Sequence, residues 1–166
     1  MCSSDLALAN FVKRQSDVKS VYLFNQDYAH GKQWARYGQE LVGLARPDVK
    51  FVGSDLHPIG RVKDFAPYVA KIKAAGADTV ITGNWGSDLT LLIKAANDAG
   101  LTAKFYTYYA SVSGAPTAIG AAGAGRVYMV AYGHSNMPGE IGKLGDAFKA
   151  KFNDDMYTQE IGRAHV

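Results

Sequence analysis

The sequence predicts an α/β fold: a parallel sheet of about five strands with helices on both faces. Two observations carry this. Short runs of strand formers recur along the chain, at residues 19–25, 49–52, 77–82, 104–109 and 126–132. Between them lie stretches whose apolar residues return every three or four positions, the helical period. Strand–helix alternation at this spacing builds βαβ units with right-handed crossovers. At 166 residues the chain is about the size of one domain. The expected form is a three-layer Rossmann-like, flavodoxin-like sandwich with strand order 2-1-3-4-5.

Ala7 to Gln15 carries Leu8, Phe11 and Val12 on one face and reads as a helix. The first strand, with Val21, Tyr22, Leu23 and Phe24, ends at the polar turn Asn25 to Tyr28. Trp34, Tyr37 and Leu41 then mark a helix over about 30–44, stopped by Pro47. Val49 to Val52 is the second strand and residues 54–63 a polar loop. Asp64 is placed to cap a helix carrying Phe65, Tyr68, Val69 and Ile72, and Gly76 to end it. Ala77 to Thr82 is the third strand, followed by the turn Gly83 to Gly86. Ser87 or Asp88 caps the next helix, whose Leu89, Leu92, Ile93 and Ala96 face inward, and Gly100 ends it. Lys104 to Tyr109 is the fourth strand. A loop and a short helix around Pro116 to Ala122 lead to the fifth, Arg126 to Tyr132. Residues 133–139 read as a linker and Glu140 to Phe152 as a last helix, weakened by Gly142 and Gly145.

The two ends look foreign. One encoding of Ile161 to Val166, read on the opposite strand with GTG as a start codon, gives Met1 to Asp5. It also resembles a common sequencing adaptor. Residues 1–6 and 161–166 are therefore expected to be adaptor-derived, and residues 7–160 to be an internal piece of a longer protein. Cys2, the single cysteine, falls in the foreign head, so cysteine usage says nothing of the compartment.

Composition excludes several classes. Hydrophobic content of 48% against 20% charged is enough for a sizeable core. The net charge of +3 is spread among acids, with no basic stripe to follow a nucleic-acid backbone. No apolar run approaches the roughly 20 residues that cross a bilayer.

Catalytic signatures are missing. The first strand–helix turn, NQDYAHG, is no dinucleotide fingerprint, and neither a phosphate-loop nor a nucleophile-elbow motif is present. GAAGAG at 120–125 precedes a strand instead of following one, the wrong order for a phosphate loop, and reads as a connection. His30, His57 and His134 lie in separate loops without partners at ligand spacing, so they read as surface histidines and no metal or cofactor is expected. Asp27 and His30 have no adjacent nucleophile, and Asp27 reads as a helix cap.

What remains is a set of aromatics at strand ends. Tyr28 follows the first strand, Trp85 the third, and Tyr108 and Tyr109 close the fourth. In a parallel sheet these converge on the rim where open α/β sheets bind ligands. With Asn84 and Gly86 for hydrogen bonding and close backbone approach, they describe a small-molecule pocket better than a catalytic centre.

Three stretches carry a family resemblance: VYLFNQDYAHGKQWA, then HPIGRVKDFAPYVAKIKAAGADTVITGNWGSDLTLLIKAANDAGL, then FYTYYAS. Over most of residues 7–160 the chain resembles periplasmic substrate-binding proteins of ABC importers of the leucine/isoleucine/valine-binding type, with PIG-x-x-KDF-x-P-Y the most specific part. The resemblance implies two Rossmann-like lobes closing on a ligand, with residues 7–132 as the second lobe. Residues 133–160 would be the crossover linker and a helix towards the absent first lobe. It places the family's turn tyrosine on Tyr28 and its next ligand-loop aromatic on Trp85. The family's acid for the ligand ammonium falls at or beside Tyr109, where this chain reads Thr107, Tyr108, Tyr109, Ala110, Ser111 and has no acid. Amino-acid, amide and aromatic-acid ligands all stay open. The resemblance implies a periplasmic or other extracytoplasmic location, a small-molecule ligand and an ABC-transporter membrane permease as partners, and no catalysis. The alternatives are a sensory ligand-binding domain of the same fold and a flavodoxin-like cofactor-binding enzyme domain.

Overall fold

The computed structural model of the chain describes residues 3–112, 114–131 and 138–153. The central sheet is parallel, five-stranded and ordered β2-β1-β3-β4-β5, the order expected from the sequence. The elements are α1 (Ser3–Val12), β1 (Ser20–Gln26), α2 (Ala29–Ala45), β2 (Lys50–His57), α3 (Ala66–Ala74) and β3 (Thr79–Thr82). They continue with α4 (Gly86–Asp98), β4 (Lys104–Thr107), α5 (Ala115–Ile119), a 3-10 turn at Gly120–Gly123, β5 (Val127–Met129) and α6 (Glu140–Phe152).

Period-two alternation sorts the strands into two cores. Tyr22 and Phe24 of β1, Val80 of β3 and Phe105 of β4 face α3, α4 and α5, where Phe65, Ile72, Leu89, Leu92 and Ile93 meet them. Val21 and Leu23, Ile81 and Tyr106 point the other way, onto Leu8 and Val12 of α1 and Trp34 and Val42 of α2. This is the three-layer sandwich. The central strands are apolar on both faces because helices cover both.

Three helix ends carry the residues marked for them. The Ala66 amide donates to Asp64 Oδ1 at 2.8 Å at the start of α3. Gly76 and Gly100 leave α3 and α4 with φ of 69° and 62°, the left-handed conformation that glycine adopts without penalty. Arg46 clamps the end of α2. Its guanidinium donates to Gln15 O at 2.6 Å and Val18 O at 3.0 Å, tying α2 to the α1–β1 connection. It also grips Asp48 through two 2.7 Å bonds, which hold that carboxyl down to about 2.

Several expectations need correction. β4 ends at Thr107, so Tyr108 and Tyr109 follow the strand instead of closing it, and β5 runs only from Val127 to Met129. Asp27 does not cap α2, whose N-cap is Tyr28; it pairs with Lys32. The first helix starts at Ser3, inside the expected foreign head, and ends at Val12 instead of Gln15. The second strand does not end at Val52: it runs to His57, and Leu23, Phe24, Asn25 and Gln26 pair with Ser54, Asp55, Leu56 and His57. The polar stretch 54–57 is strand because β2 is the sheet edge and pairs on one side only. A bulge at Val52 shifts the register between Val21 and Tyr22. After it, Gly53, Asp55 and His57 share the face towards α3. Gly53 is required there, since a Cβ would lie 2.2 Å from the Tyr22 ring. Neither Ser87 nor Asp88 caps α4, whose N-cap is Trp85; the role of Asp88 is described below. The helix expected at Glu140 to Phe152 has those bounds in the structure. The expected linker at 133–139 and His134 lie largely or wholly outside the described residues.

Candidate functional site

The strands β1, β3 and β4 deliver their carboxyl ends to one rim, and the chain turns there into α2, α4 and the loop before α5. Tyr28 is the N-cap of α2 and Trp85 the N-cap of α4, both in extended conformation and neither supplying a side-chain cap. Their side chains meet instead: Trp85 Nε1–H donates to the Tyr28 hydroxyl at 3.2 Å. From this pair a row of rings crosses the rim. Tyr28 lies 5.8 Å from His30, and His30 lies 5.6 Å from Trp34. Trp34 stacks on Tyr108 at 5.1 Å and takes Tyr109 edge-on at 5.3 Å. Offset stacks and edge contacts at these separations are favourable ring geometries.

Two glycines make the row possible. A Cβ on Gly83 would sit 1.8 Å from Trp34 Cε3, so only glycine lets the β3–α4 turn pass over that indole. A Cβ on Gly31 would sit 1.8 Å from the Gln26 carbonyl oxygen, so glycine brings the start of α2 against the end of β1.

The six expected site residues separate by burial. Trp85 is 43% exposed, and Tyr28, Gly86 and Tyr109 are half-buried. Gly86 has φ of +61° and open space where a Cβ would stand. Tyr108 is buried, and its hydroxyl donates to the buried Asp5 Oδ1 of α1 at 3.1 Å. Asn84 is fully buried beneath the turn. The structure thus brings Tyr28, Trp85, Gly86 and Tyr109 to the surface of the rim and puts Tyr108 and Asn84 under it.

Under the turns lies a polar layer that no sequence motif announces. Asn25 Oδ1 accepts from the Gly83 amide at 2.7 Å, and Thr82 Oγ1 accepts from the Asn84 amide at 3.1 Å. Asn84 Nδ2 lies 2.8 Å from His57 Nε2, and His57 Nδ1 lies 3.2 Å from the Pro58 carbonyl. The tautomer that satisfies both carries its proton on Nδ1, which donates to Pro58, while Nε2 accepts from Asn84. His57 is fully buried, stacked on Phe24 at 5.0 Å and edge-on to Phe65 at 5.1 Å. It is not the surface histidine expected. Asp88 is buried too; its Oδ2 accepts from Gln26 Nε2 at 2.7 Å and from the Gly60 amide at 2.8 Å. Four buried polar atoms of this layer have no partner: Asn25 Nδ2, Gln26 Oε1, Asn84 Oδ1 and Asp88 Oδ1. The layer fixes the turns after β1, β2 and β3 to one another, so the rings above them stand on a braced base. The signal for His57 is the period-two series Gly53, Asp55, His57, masked by the polar character of an edge strand.

Among the described residues, no group of three or more His, Cys, Asp or Glu side chains is placed to hold a metal ion. No helix among them is long and apolar enough to cross a membrane.

Comparison with known proteins agrees with the architecture. The family model for periplasmic binding proteins matches residues 5–165, a span that includes most of the tail expected to be foreign. Leu/Ile/Val-binding protein homolog 4 of Brucella abortus (strain 2308) is 42% identical over 118 residues, covering 68% of this chain and 25% of that protein. The leucine-, isoleucine-, valine-, threonine- and alanine-binding protein of Brucella ovis, in a closed conformation, superposes with a TM-score of 0.72 at 30% identity, over 92% of this chain and 38% of that one. A branched-chain amino acid ABC transporter ligand-binding protein of Burkholderia xenovorans LB400 gives a TM-score of 0.78 at 19% identity, over 92% of this chain and 40% of that one. The chain spans about a quarter of the length of the curated relatives it matches. It therefore belongs to the periplasmic binding protein family, with the parallel α/β fold of the family's type I members.

Proposed function

We propose that this chain forms the second lobe of a two-lobe solute-binding protein that captures a small molecule outside the cytoplasm and presents it to an ABC-transporter permease. Residues 7–132 form the lobe, and residues 133–160 cross towards the other lobe. The ligand lies on the rim against Tyr28, Trp85, Gly86 and Tyr109, with Asn84 and Tyr108 supporting those turns from beneath. Binding to one lobe and then contact with the other stabilise a closed form, a hinge mechanism in which no bond is made or broken.

The observation that carries this reading is the ring row itself. Tyr28 and Trp85 are hydrogen-bonded to each other, yet Trp85 keeps 43% of its surface open. An indole held in place but left uncovered at the carboxyl ends of a parallel sheet suits a ligand surface. The relatives support the same class. The Brucella abortus relative is named a homolog of Leu/Ile/Val-binding protein and the Brucella ovis one a leucine-, isoleucine-, valine-, threonine- and alanine-binding protein, and a Rhodopseudomonas palustris solute-binding protein of the same fold was crystallised with benzoate.

The test is a thermal-shift screen of amino acids, amides and small carboxylates on the complete two-lobe protein. A ligand that binds only the folded state raises the melting temperature by mass action, worth about 2.7 kcal/mol at 100 times its Kd. A rise with one such solute is expected. A rise only with flavin or nucleotide would replace this reading by that of a cofactor-binding domain.

A further inference from the structure

We propose that the buried polar layer beneath the rim binds one small monovalent cation, sodium, through Asp88 Oδ1, Gln26 Oε1 and Asn84 Oδ1. These three oxygens have no hydrogen-bond partner within the protein, and their side chains are no more than 1% exposed. A closed circuit of contacts brings the side chains together. Gln26 Nε2 donates to Asp88 Oδ2 at 2.7 Å, and Asn84 Nδ2 donates to His57 Nε2 at 2.8 Å. His57 stands beside Gln26 in the β1–β2 register, and Asp88 follows Asn84 across the start of α4. Alternation along β1 sends Gln26 to the α3–α4 face with Phe24 and Asn25 to the opposite face with Leu23, so the unmatched Asn25 Nδ2 lies outside this circuit. The amide orientations are fixed by their partners. Gln26 turns its nitrogen, not its oxygen, to a carboxylate. Asn84 turns its nitrogen to His57 Nε2, because the ring proton sits on Nδ1 facing the Pro58 carbonyl. Neither amide can reverse to supply a donor.

The unmatched side-chain atoms of the circuit are therefore all acceptors, and one belongs to a carboxylate. Asp88 Oδ2 has the Gln26 amide and the Gly60 N–H. No Lys, Arg or His among the described residues forms an ion pair with Asp88. Buried acceptors around an unpaired negative charge are costly, and a ligand that brings positive charge and no lone pairs relieves both costs. Carboxylate and amide oxygens are hard donors, suited to alkali and alkaline-earth ions and not to the metals that His and Cys clusters select. The single carboxylate balances a monovalent charge. Calcium gathers about six to eight oxygens, often from several carboxylates, and would leave charge uncompensated here. Bound in this place, the ion ties the ends of β1 and β3 to the start of α4 and anchors the turn that carries Trp85 and Gly86.

The test uses the complete protein. Its melting temperature is followed as sodium chloride replaces N-methylglucamine chloride at constant ionic strength, which keeps screening unchanged. A saturable rise is expected, because sodium binds the folded site alone, and Asp88→Asn should abolish it. Crystals of the unaltered protein soaked in thallium(I) acetate, a heavy monovalent stand-in, should show an anomalous peak among the three oxygens. That second readout decides the matter even where the variant fails to fold. A melting temperature indifferent to sodium overturns the site, and so does a saturable rise that survives in Asp88→Asn. Density for water alone, without an anomalous peak, overturns it too. A rise with calcium chloride and none with sodium chloride overturns the assignment to a monovalent ion.

Discussion

Trp34 and Trp85 lie at opposite ends of what a tryptophan can do in this chain. Trp34 is buried between His30, Tyr108 and Tyr109 and lies directly under Gly83. Trp34→Ala should lower unfolding stability by about 3–5 kcal/mol, measured by urea denaturation. Trp85→Ala should cost about 1 kcal/mol or less, because nearly half its surface is already open. In the complete protein it should nonetheless weaken ligand binding. Equal destabilisation by the two substitutions would mean that Trp85 is a packing residue. Tyr22 gives a pH-dependent test. Its hydroxyl donates to Asp55 Oδ2 at 2.7 Å. Burial first, and then that carboxylate, push the phenol from its usual 10 up to about 12. The folded state therefore holds the proton more tightly than the unfolded state. The stability this confers is full below pH 10 and is lost as pH rises from 10 towards 12. Tyr22→Phe should remove that part of the alkaline slope while costing about 1 kcal/mol at neutral pH, with Asp55 still facing Lys71 at 3.3 Å.

At the scale of elements, the parts legible in the sequence are those whose burial is complete and one-directional. Leu89, Leu92, Ile93 and Ala96 are fully buried on one face of α4, so their spacing alone defines both the helix and its orientation. Strand β2 reads short because an edge strand keeps one hydrogen-bonding side unpaired and tolerates Ser54 and Asp55 among its residues. The aromatic row is legible as a set of rings at strand ends. His30 and Trp34 escape that reading, since helical residues reach the rim only through the close approach that Gly31 and Gly83 permit. Asp88 misleads for a related reason. Its position in the first turn of α4 is that of an acid serving its own helix, whereas its carboxylate reaches Gln26 and Gly60 on two other turns. Asp88→Ala would leave the buried Gln26 side-chain amide, and the Gly60 N–H, without their acceptor. A loss of about 1–3 kcal/mol is expected. Amide exchange should accelerate at Gly60 more than in the middle of β3, because the substitution releases the β2–α3 turn and not the sheet. Uniform acceleration across the chain would show that Asp88 supports global stability only.

At the scale of the whole molecule, the last helix is the element the sandwich does not use. Both core clusters draw on α1 to α5 and their strands, and no residue of α6 belongs to either. Ile141, Leu144 and Phe152 of α6 are exposed, the last at 56%. Phe148 is half-buried and touches Phe152, its neighbour one turn on, at 4.6 Å. A 13-residue helix of this kind, carrying two interior glycines, is marginal in water without a surface to pack against. The relatives are two and a half to four times longer than the part of them this chain matches, so such a surface fits a second lobe. Two hydrogen-exchange experiments follow. In this chain alone, α6 amides should exchange far faster than those of β1, β3 and α4, since local opening there exposes little that was buried. In the complete protein the same amides should become more protected, and addition of a bound ligand should raise that protection further as the lobes close. Core-like protection of α6 in the isolated chain would mean that the helix docks on this lobe, and the assignment of residues 133–160 to a crossover would then fall.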